Sequence, residues 1–306
     1  MENLIIITGP TGIGKTDLSL KLAKKYCGEI ISCDSMQIYK KLNIGTAKID
    51  INETSIPHHM IDIIEPSDNF SVADFKNEAK KIITSINNRG RVPFLVGGTG
   101  LYINSIVYNL NFTETEPDYE YRRKLNNILE EEGSEFLYEK LLSKDSEMAE
   151  KIHQNNGQRI IRALEILKSG NKKGNNFREE NEDYNLIYIG LNMNRDKLYE
   201  KINIRVDKMI DLGLVNEVKN LLDAGLDKNS QSLKAIGYKE VISYLDGEIQ
   251  FDEMVDLIKK NSRHYAKRQL TWFRRDERIK WFDKESDTIL YDIEDYINSK
   301  LIQEKR

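Results

Sequence analysis

Hydrophobic residues come in short blocks near the amino end of the chain. Residues 4–8, LIIIT, form an apolar run, and residues 17–26, DLSLKLAKKY, then place Leu18, Leu20, Leu22 and Ala23 at helical spacing. The pattern predicts strand, loop, helix. EIISCDS (29–35) reads as a second buried strand ending at Asp34, and MIDII (60–64) as a third. VADFKNEAKKIITSINNRG (72–90) reads as a helix with a glycine stop, and VPFLVGGTG (92–100) as a strand running into a Gly-rich turn. Strands alternating with helices predict a parallel sheet covered on both faces.

The rhythm changes near residue 112. DYEYRRKLNNILEEEG, SEFLYEKLLSKD and GQRIIRALEILKSG are helical candidates separated by polar breaks, and SGNKKGNNFREENEDYN (169–185) is polar enough to be a loop. LIYIGL (186–191) returns to strand. Two long helices are expected over about 195–223 and 252–275, and IKWFD (279–283) reads as a last strand. The expected fold class is therefore α/β: a parallel sheet flanked by helices, built from residues 1–111 and 186–306, with an all-helical insertion over 112–185.

Composition narrows the reading. The chain has 306 residues, 39% hydrophobic and 31% charged, as in an ordinary globular protein. Its net charge of −4 means that any polyanion site must be a local basic patch. Two cysteines, Cys27 and Cys33, build neither a disulfide framework nor a zinc site, which fits a reducing compartment. A strand beginning by Leu4 leaves no room for a signal peptide, and no apolar run approaches the ~18 residues of a membrane span. A cytoplasmic protein with no membrane contact is expected. His58 and His59 lie in a turn-like IPHHM stretch, and with four His and two Cys in all, metal ligation by imidazole is not expected.

The sharpest local signal is IIITGPTGIGKT (5–16), a G-x-x-x-x-G-K-T phosphate loop between strand and helix. Glycines 9, 12 and 14 allow backbone N–H groups to converge, Lys15 is placed to neutralise phosphate oxygens, and Thr16 to ligate Mg²⁺. The strand at 92–96 ends in Gly97 and Gly98 rather than an acid, so the best-placed carboxylate is Asp34 at the end of the second strand. It either caps a turn or takes a proton from an incoming nucleophile.

Residues 259–280, KKNSRHYAKRQLTWFRRDERIK, hold nine Lys or Arg against two acids. Arg263 with Lys267, and Lys260 with His264, can line one helix side, while Tyr265, Leu270, Trp272 and Phe273 pack. Arg159 and Arg162 in QRIIRALEI, with Ile160, Ile161, Leu164 and Leu167 for the core, and Arg122 and Arg123 in YRRKL give a second basic surface. The two could clamp a folded RNA, or each could be a solvated face. Leu198, Ile202, Arg205, Met209 and Leu212 follow one helical stripe, with Val206 leading a competing one. Arg205 on an apolar stripe implies a fixed anion, either a diphosphate or a structural carboxylate.

GPTGIGKT, DSMQIYKKLNIGTAK, IPHHMIDI, FSVADF, VGGTGLYI, QRIIRALE, INIRVDKMIDLGLVNEVK, KAIGYKE and NSRHYAKRQLTWFR occur in the order found in the tRNA dimethylallyltransferases, also called tRNA isopentenyltransferases, which the chain resembles from the phosphate loop to about residue 283. The resemblance implies transfer of a dimethylallyl group from dimethylallyl diphosphate to the exocyclic amine of the adenosine 3′ of the anticodon, in tRNAs reading codons that begin with U. Gly9, Pro10, Thr11, Gly12, Ile13, Gly14, Lys15 and Thr16 would then hold the donor diphosphate. Mg²⁺ on Thr16, together with Lys15, would stabilise the leaving group. Asp34 would be the base, and Thr99 and Arg205 would contact the diphosphate. Asp34, Ser35, Met36, Gln37, Gly100, Arg123, Gln158, Arg159, Ile160, Ile161, Arg162, Lys234, Ala235, Ile236, Gly237, Tyr238 and Lys239 would contact the tRNA anticodon stem-loop. The absence of the zinc-finger extension of eukaryotic members implies a bacterial-type enzyme, expected to be a monomer. A small-molecule kinase using ATP and a nucleotide-driven RNA-binding switch are the alternatives.

Overall fold

A computed structural model describes residues 1–110, 118–169 and 179–303. Six strands, β1 (Glu2–Thr8), β2 (Gly28–Cys33), β3 (His58–His59), β4 (Val92–Gly97), β5 (Tyr184–Asn192) and β6 (Lys280–Asp283), form one sheet in the order β3-β2-β4-β1-β5-β6. Every neighbouring pair is parallel. Ile5, Ile6 and Ile7 sit between Phe94–Val96 on one side and Ile187–Ile189 on the other, and all three are fully buried. Burial on both faces is why these strands read as unbroken apolar runs. The register sets Thr8 beside Gly97 and Gly97 beside Cys33, so three chain segments leave the sheet together at its carboxyl edge.

The helices follow in chain order. α1 (Lys15–Lys25) buries Leu18, Leu22 and Ala23 against the sheet. α2 (Val72–Asn88) opens on a Ser71–Asp74 capping box, and α3 (Gly100–Val107) follows β4. α4 (Tyr119–Leu142), α5 (Ser146–Glu150) and α6 (Gly157–Lys168) lie between α3 and β5. α7 (Arg195–Asp211), α8 (Leu214–Asp223), α9 (Tyr238–Leu245), α10 (Phe251–Phe273) and α11 (Ile289–Gln303) complete the chain.

Several expectations need correction. MIDII is not a strand: Met60 and Asp62 have φ of 62° and 53°, which breaks any extended run, and the short strand is His58–His59 instead. The expected helix over 195–223 is two, divided at Gly213 with φ 96°. α3, α5, α9 and α11 fall where no helix was expected. On α7 the buried stripe is Leu198, Ile202, Val206 and Met209, the competing one, while Leu212 is 71% exposed. Arg205 stands beside that stripe rather than on it.

The chain divides into two compact units, 1–108 with 180–306, and 109–179. The division falls before the expected 111/112 and 185/186 because Tyr108 and Glu180 form an antiparallel bridge and β5 already begins at Tyr184. The smaller unit has a core of Leu125, Leu137, Leu141, Ile160, Ile161 and Leu164, and its described residues include no strand. Most of the loop expected over 169–185, residues 170–178, lies outside the described residues.

Candidate active site

The loop after β1 carries positive φ at Gly9, Gly12 and Gly14, of 149°, 79° and 91°. Such values come without strain only for glycine, and they fold the chain back on itself before α1 begins. Lys15 curls into this loop, its Nζ donating to the carbonyls of Gly9 and Pro10, both at 2.9 Å. Burial brings the ammonium down to about 8, Arg205 pushes the same way, and Asp34 opposes them. The Thr16 side chain is exposed and its hydroxyl engages no other group among the described residues. Ile13 is 1% exposed and faces the core, so only its backbone is available to a ligand. The Thr11 N–H is already committed, donating to Gln269 Oε1 at 2.8 Å.

Asp34 follows directly on β2. Its Oδ1 accepts from the Met36 N–H at 2.9 Å, so the residue does cap a turn, yet its carboxylate also faces open space. Thr99, at the start of α3, is tied to this turn: its Oγ1 accepts from the Ser35 N–H at 3.1 Å, and its N–H donates to the Cys33 carbonyl at 3.2 Å. Tyr265 of α10 also pairs with Thr99, and burial pushes its phenol well up. Arg205 donates to the Thr46 carbonyl at 3.2 Å, and the Asp34 charge partly offsets the cost of its burial.

Two cavities open at this edge of the sheet. One, of about 400 Å³, is lined by Gly12, Gly14, Lys15, Thr16, Gln37 and Gly97 among others. The second, of about 340 Å³, is lined by Ser35, Met36, Lys234, Ala235, Ile236 and Lys239 together with an apolar floor of Ile202, Val206 and Ile258. Thr11, Asp34, Arg205 and Tyr265 line both.

Sequence reasoning passed over Gln269. It is 5% exposed and joins two loops, accepting from Thr11 and donating from Nε2 to the Gly98 carbonyl at 2.9 Å. A Cβ on Gly98 would lie 2.1 Å from that nitrogen, so an alanine there would push the Gln269 amide out of this position. A glutamine between buried Ala266 and Phe273 was the available signal. Glu217 of α8, whose carboxylate accepts the Asn43 and Ile44 N–H groups at 2.9 and 2.8 Å, was passed over as well.

The expected tRNA contacts separate into groups. Ser35, Met36, Lys234, Ala235, Ile236 and Lys239 line the second cavity, while Gln37 lines the first. Gly100 packs against the Trp272 indole. Tyr238 is fully buried, with its hydroxyl donating to Glu217 at 2.6 Å, so its side chain offers RNA no surface; Gly237 is the turn that starts its helix. In the smaller unit Ile160 and Ile161 are core residues, at 0% and 2% exposure, and are likewise corrected as side-chain contacts. Arg123, Gln158, Arg159 and Arg162 are exposed, although Arg162 and Arg122 share the buried carboxylate of Glu165. On α10 and beyond, Lys259, Arg263 and Arg278 are taken by Asp207, Asn203 and Asp276. His264, Lys267, Arg268, Thr271, Trp272 and Arg275 border an open groove of about 490 Å³.

A Gly-rich loop beside a carboxylate on the wall common to two cavities is the arrangement of an α/β group-transfer enzyme. Family profiles match the chain: one described as IPP transferase over residues 37–276, and one described as isopentenyl transferase over residues 2–55. A tRNA dimethylallyltransferase of Halalkalibacterium halodurans is 47% identical, with 100% of this chain and 99% of that protein covered. The crystal structure of the full-length tRNA isopentenylpyrophosphate transferase from Bacillus halodurans superposes with a TM-score of 0.76 at 47% identity, covering 100% of this chain and 98% of the other. A tRNA isopentenylpyrophosphate transferase from Staphylococcus epidermidis gives 0.72 at 43% identity, over 98% and 100%. A eukaryotic dimethylallyltransferase acting on tRNA gives 0.80 at 27% identity, over 99% and 80%. The chain belongs to the tRNA dimethylallyltransferase family. It is a transferase whose substrate is tRNA, and the kinase alternative is not favoured.

Proposed function

We propose that the donor is dimethylallyl diphosphate and the acceptor is the exocyclic amine of the adenosine 3′ of the anticodon. The observation that carries this reading is Asp34 on the wall common to both cavities. The cavity lined by Thr11, Gly12, Gly14, Lys15 and Thr16 takes the diphosphate, and the other takes an adenine drawn out of its stack. As the amine nitrogen bonds to the allylic carbon, the carbon–oxygen bond to the diphosphate breaks and Asp34 receives the amine proton. Lys15, Thr99 and Arg205 hold the oxygens that gain charge.

A Mg²⁺ ion suits this site only in company with phosphates. No group of three or more acidic, histidine or cysteine side chains gathers among the described residues, whereas the unengaged Thr16 hydroxyl and the nearby Asp34 are the sparse oxygen set on which this ion relies when substrate supplies the rest. When bound, the ion would neutralise charge on the leaving diphosphate. The groove bordered by Lys267, Arg268, Trp272 and Arg275 suits a stacked, single-stranded loop, and Arg123 and Arg159 suit backbone phosphates. We place the enzyme in the cytoplasm as a monomer; no helix among the described residues is long and apolar enough to cross a membrane.

Incubation with radiolabelled dimethylallyl diphosphate and an anticodon stem-loop tests the reading. Label is expected in the RNA, and replacing the adenosine 3′ of the anticodon by guanosine abolishes it. Unlabelled RNA alongside steady ATP turnover on a small metabolite would overturn the assignment.

A further inference from the structure

Among the described residues Arg205 has one acceptor for its guanidinium, the Thr46 carbonyl at 3.2 Å. That carbonyl also accepts from Gln37 Nε2 at 3.3 Å, and Gln37 in turn accepts from Ser32 Oγ at 3.0 Å. One peptide oxygen therefore joins Arg205 to the turn that carries Asp34. The segment that presents it, residues 43–46, is not part of a helix or strand. Its shape depends on a carboxylate from α8. Glu217 Oε2 accepts the N–H groups of Asn43 and Ile44 at 2.9 and 2.8 Å. Glu217 Oε1 accepts the Gly45 N–H at 3.2 Å and the Tyr238 hydroxyl at 2.6 Å. Three consecutive backbone N–H groups turned toward one centre form an anion nest, and the chain fills it with its own anion. Charge-assisted bonds are about twice as strong as neutral ones, so no uncharged side chain of similar size holds the turn as firmly.

We infer that Glu217 is a positioning residue for the transfer: it fixes residues 43–46 so that the Thr46 carbonyl aims the Arg205 guanidinium at the donor diphosphate and keeps it in register with Asp34. This rests on the reading of Arg205 as a diphosphate contact, and the tests keep the two apart. Tyr238 acts in the same unit, which gives a buried member of the KAIGYKE stretch a role without RNA contact.

The experiment is a kinetic cycle of Glu217→Gln, Arg205→Ala and the double variant, with Tyr238→Phe as a milder probe. Glu217→Gln is expected to lower kcat/KM for dimethylallyl diphosphate by roughly ten- to hundredfold, the scale of a lost charge-assisted group. Glu217→Asp should recover part of the loss. In the Arg205→Ala background the same change should cost less than about twofold, because a residue acting through Arg205 has nothing left to align. Tyr238→Phe, which keeps the carboxylate and the ring, should give a smaller loss with the same dependence on Arg205. Losses that add independently in the double variant, or wild-type kinetics in Glu217→Gln, would overturn the inference. Should Glu217→Gln fail to fold, additive losses for Tyr238→Phe with Arg205→Ala would overturn it equally. Unchanged donor kinetics in Arg205→Ala alone would instead overturn the reading of Arg205.

Discussion

Lys15 holds its proton less firmly than an ordinary lysine, which makes its proposed contact with the donor pH-dependent. With its ammonium brought down to about 8, it is charged at neutral pH and loses that charge above pH 8 when no donor is bound. The kcat/KM for the donor should therefore fall about tenfold per pH unit on the alkaline side, as for any essential acid of the free enzyme. Lys15→Arg should remove that limb, since guanidinium stays protonated throughout. The same shift has a stability sign. Between about pH 8 and the ordinary lysine value the unfolded chain carries a proton that the folded chain has released, so stability rises with pH across that window; denaturant titrations of wild type and Lys15→Met at both ends should differ in this slope. Asp34→Asn tests the proposed base directly. Its kcat should drop by about 10²–10⁴ while the Kd for the stem-loop, read by filter binding, moves less than about threefold.

At the scale of elements, the loop at 9–16 is tied to helix α10 through Gln269 as well as following on from the sheet. Gln269→Ala leaves the Thr11 N–H and the Gly98 carbonyl without their partner, which should cost about 1–3 kcal/mol in urea denaturation and weaken donor binding. Gly98→Ala should do similar harm from the opposite side, because its Cβ would meet Gln269 Nε2. The same elements show what could be read from the chain in advance. β1, β2, β4 and β5 announced themselves because burial on both faces makes an unbroken apolar run, and the loop at 9–16 because its glycines obey a fixed spacing. β3 did not: a strand of two residues has no period, and the next stretch turns left-handed at Met60 and Asp62. Gln269 and Glu217 escaped for another reason. Their partners lie 258 and up to 174 residues away in sequence, and nothing local records a contact made by folding. Arg205 was visible as an oddity, but its neighbour Val206, not Arg205 itself, proved to continue the apolar stripe.

Taken whole, the molecule is acidic by −4 and yet presents cations in selected places. Arg123 and Arg159 in the smaller unit, and Lys267, Arg268 and Arg275 on and after α10, are exposed, while several of their neighbours are already paired with acids. Binding to the stem-loop should accordingly weaken as salt rises, by roughly 0.7–0.9 log units of affinity per phosphate contact for each log unit of salt. Arg159→Ala should lower that slope by about one contact; an affinity flat across salt would rule out phosphate recognition by these surfaces. The division of the chain at Tyr108 and Glu180 was nearly legible from the loss of strands after residue 112, because an insertion that builds its own helical core needs none.

The two thiols end in opposite circumstances. Cys33 is fully buried at the carboxyl end of β2, where burial pushes its thiol well up, while Cys27 stands exposed in the turn between α1 and β2, at the end of the sheet away from the cavities. A maleimide dye would therefore couple at one position on the unaltered chain, far enough from the chemistry to report tumbling and RNA capture by fluorescence anisotropy without any engineered cysteine.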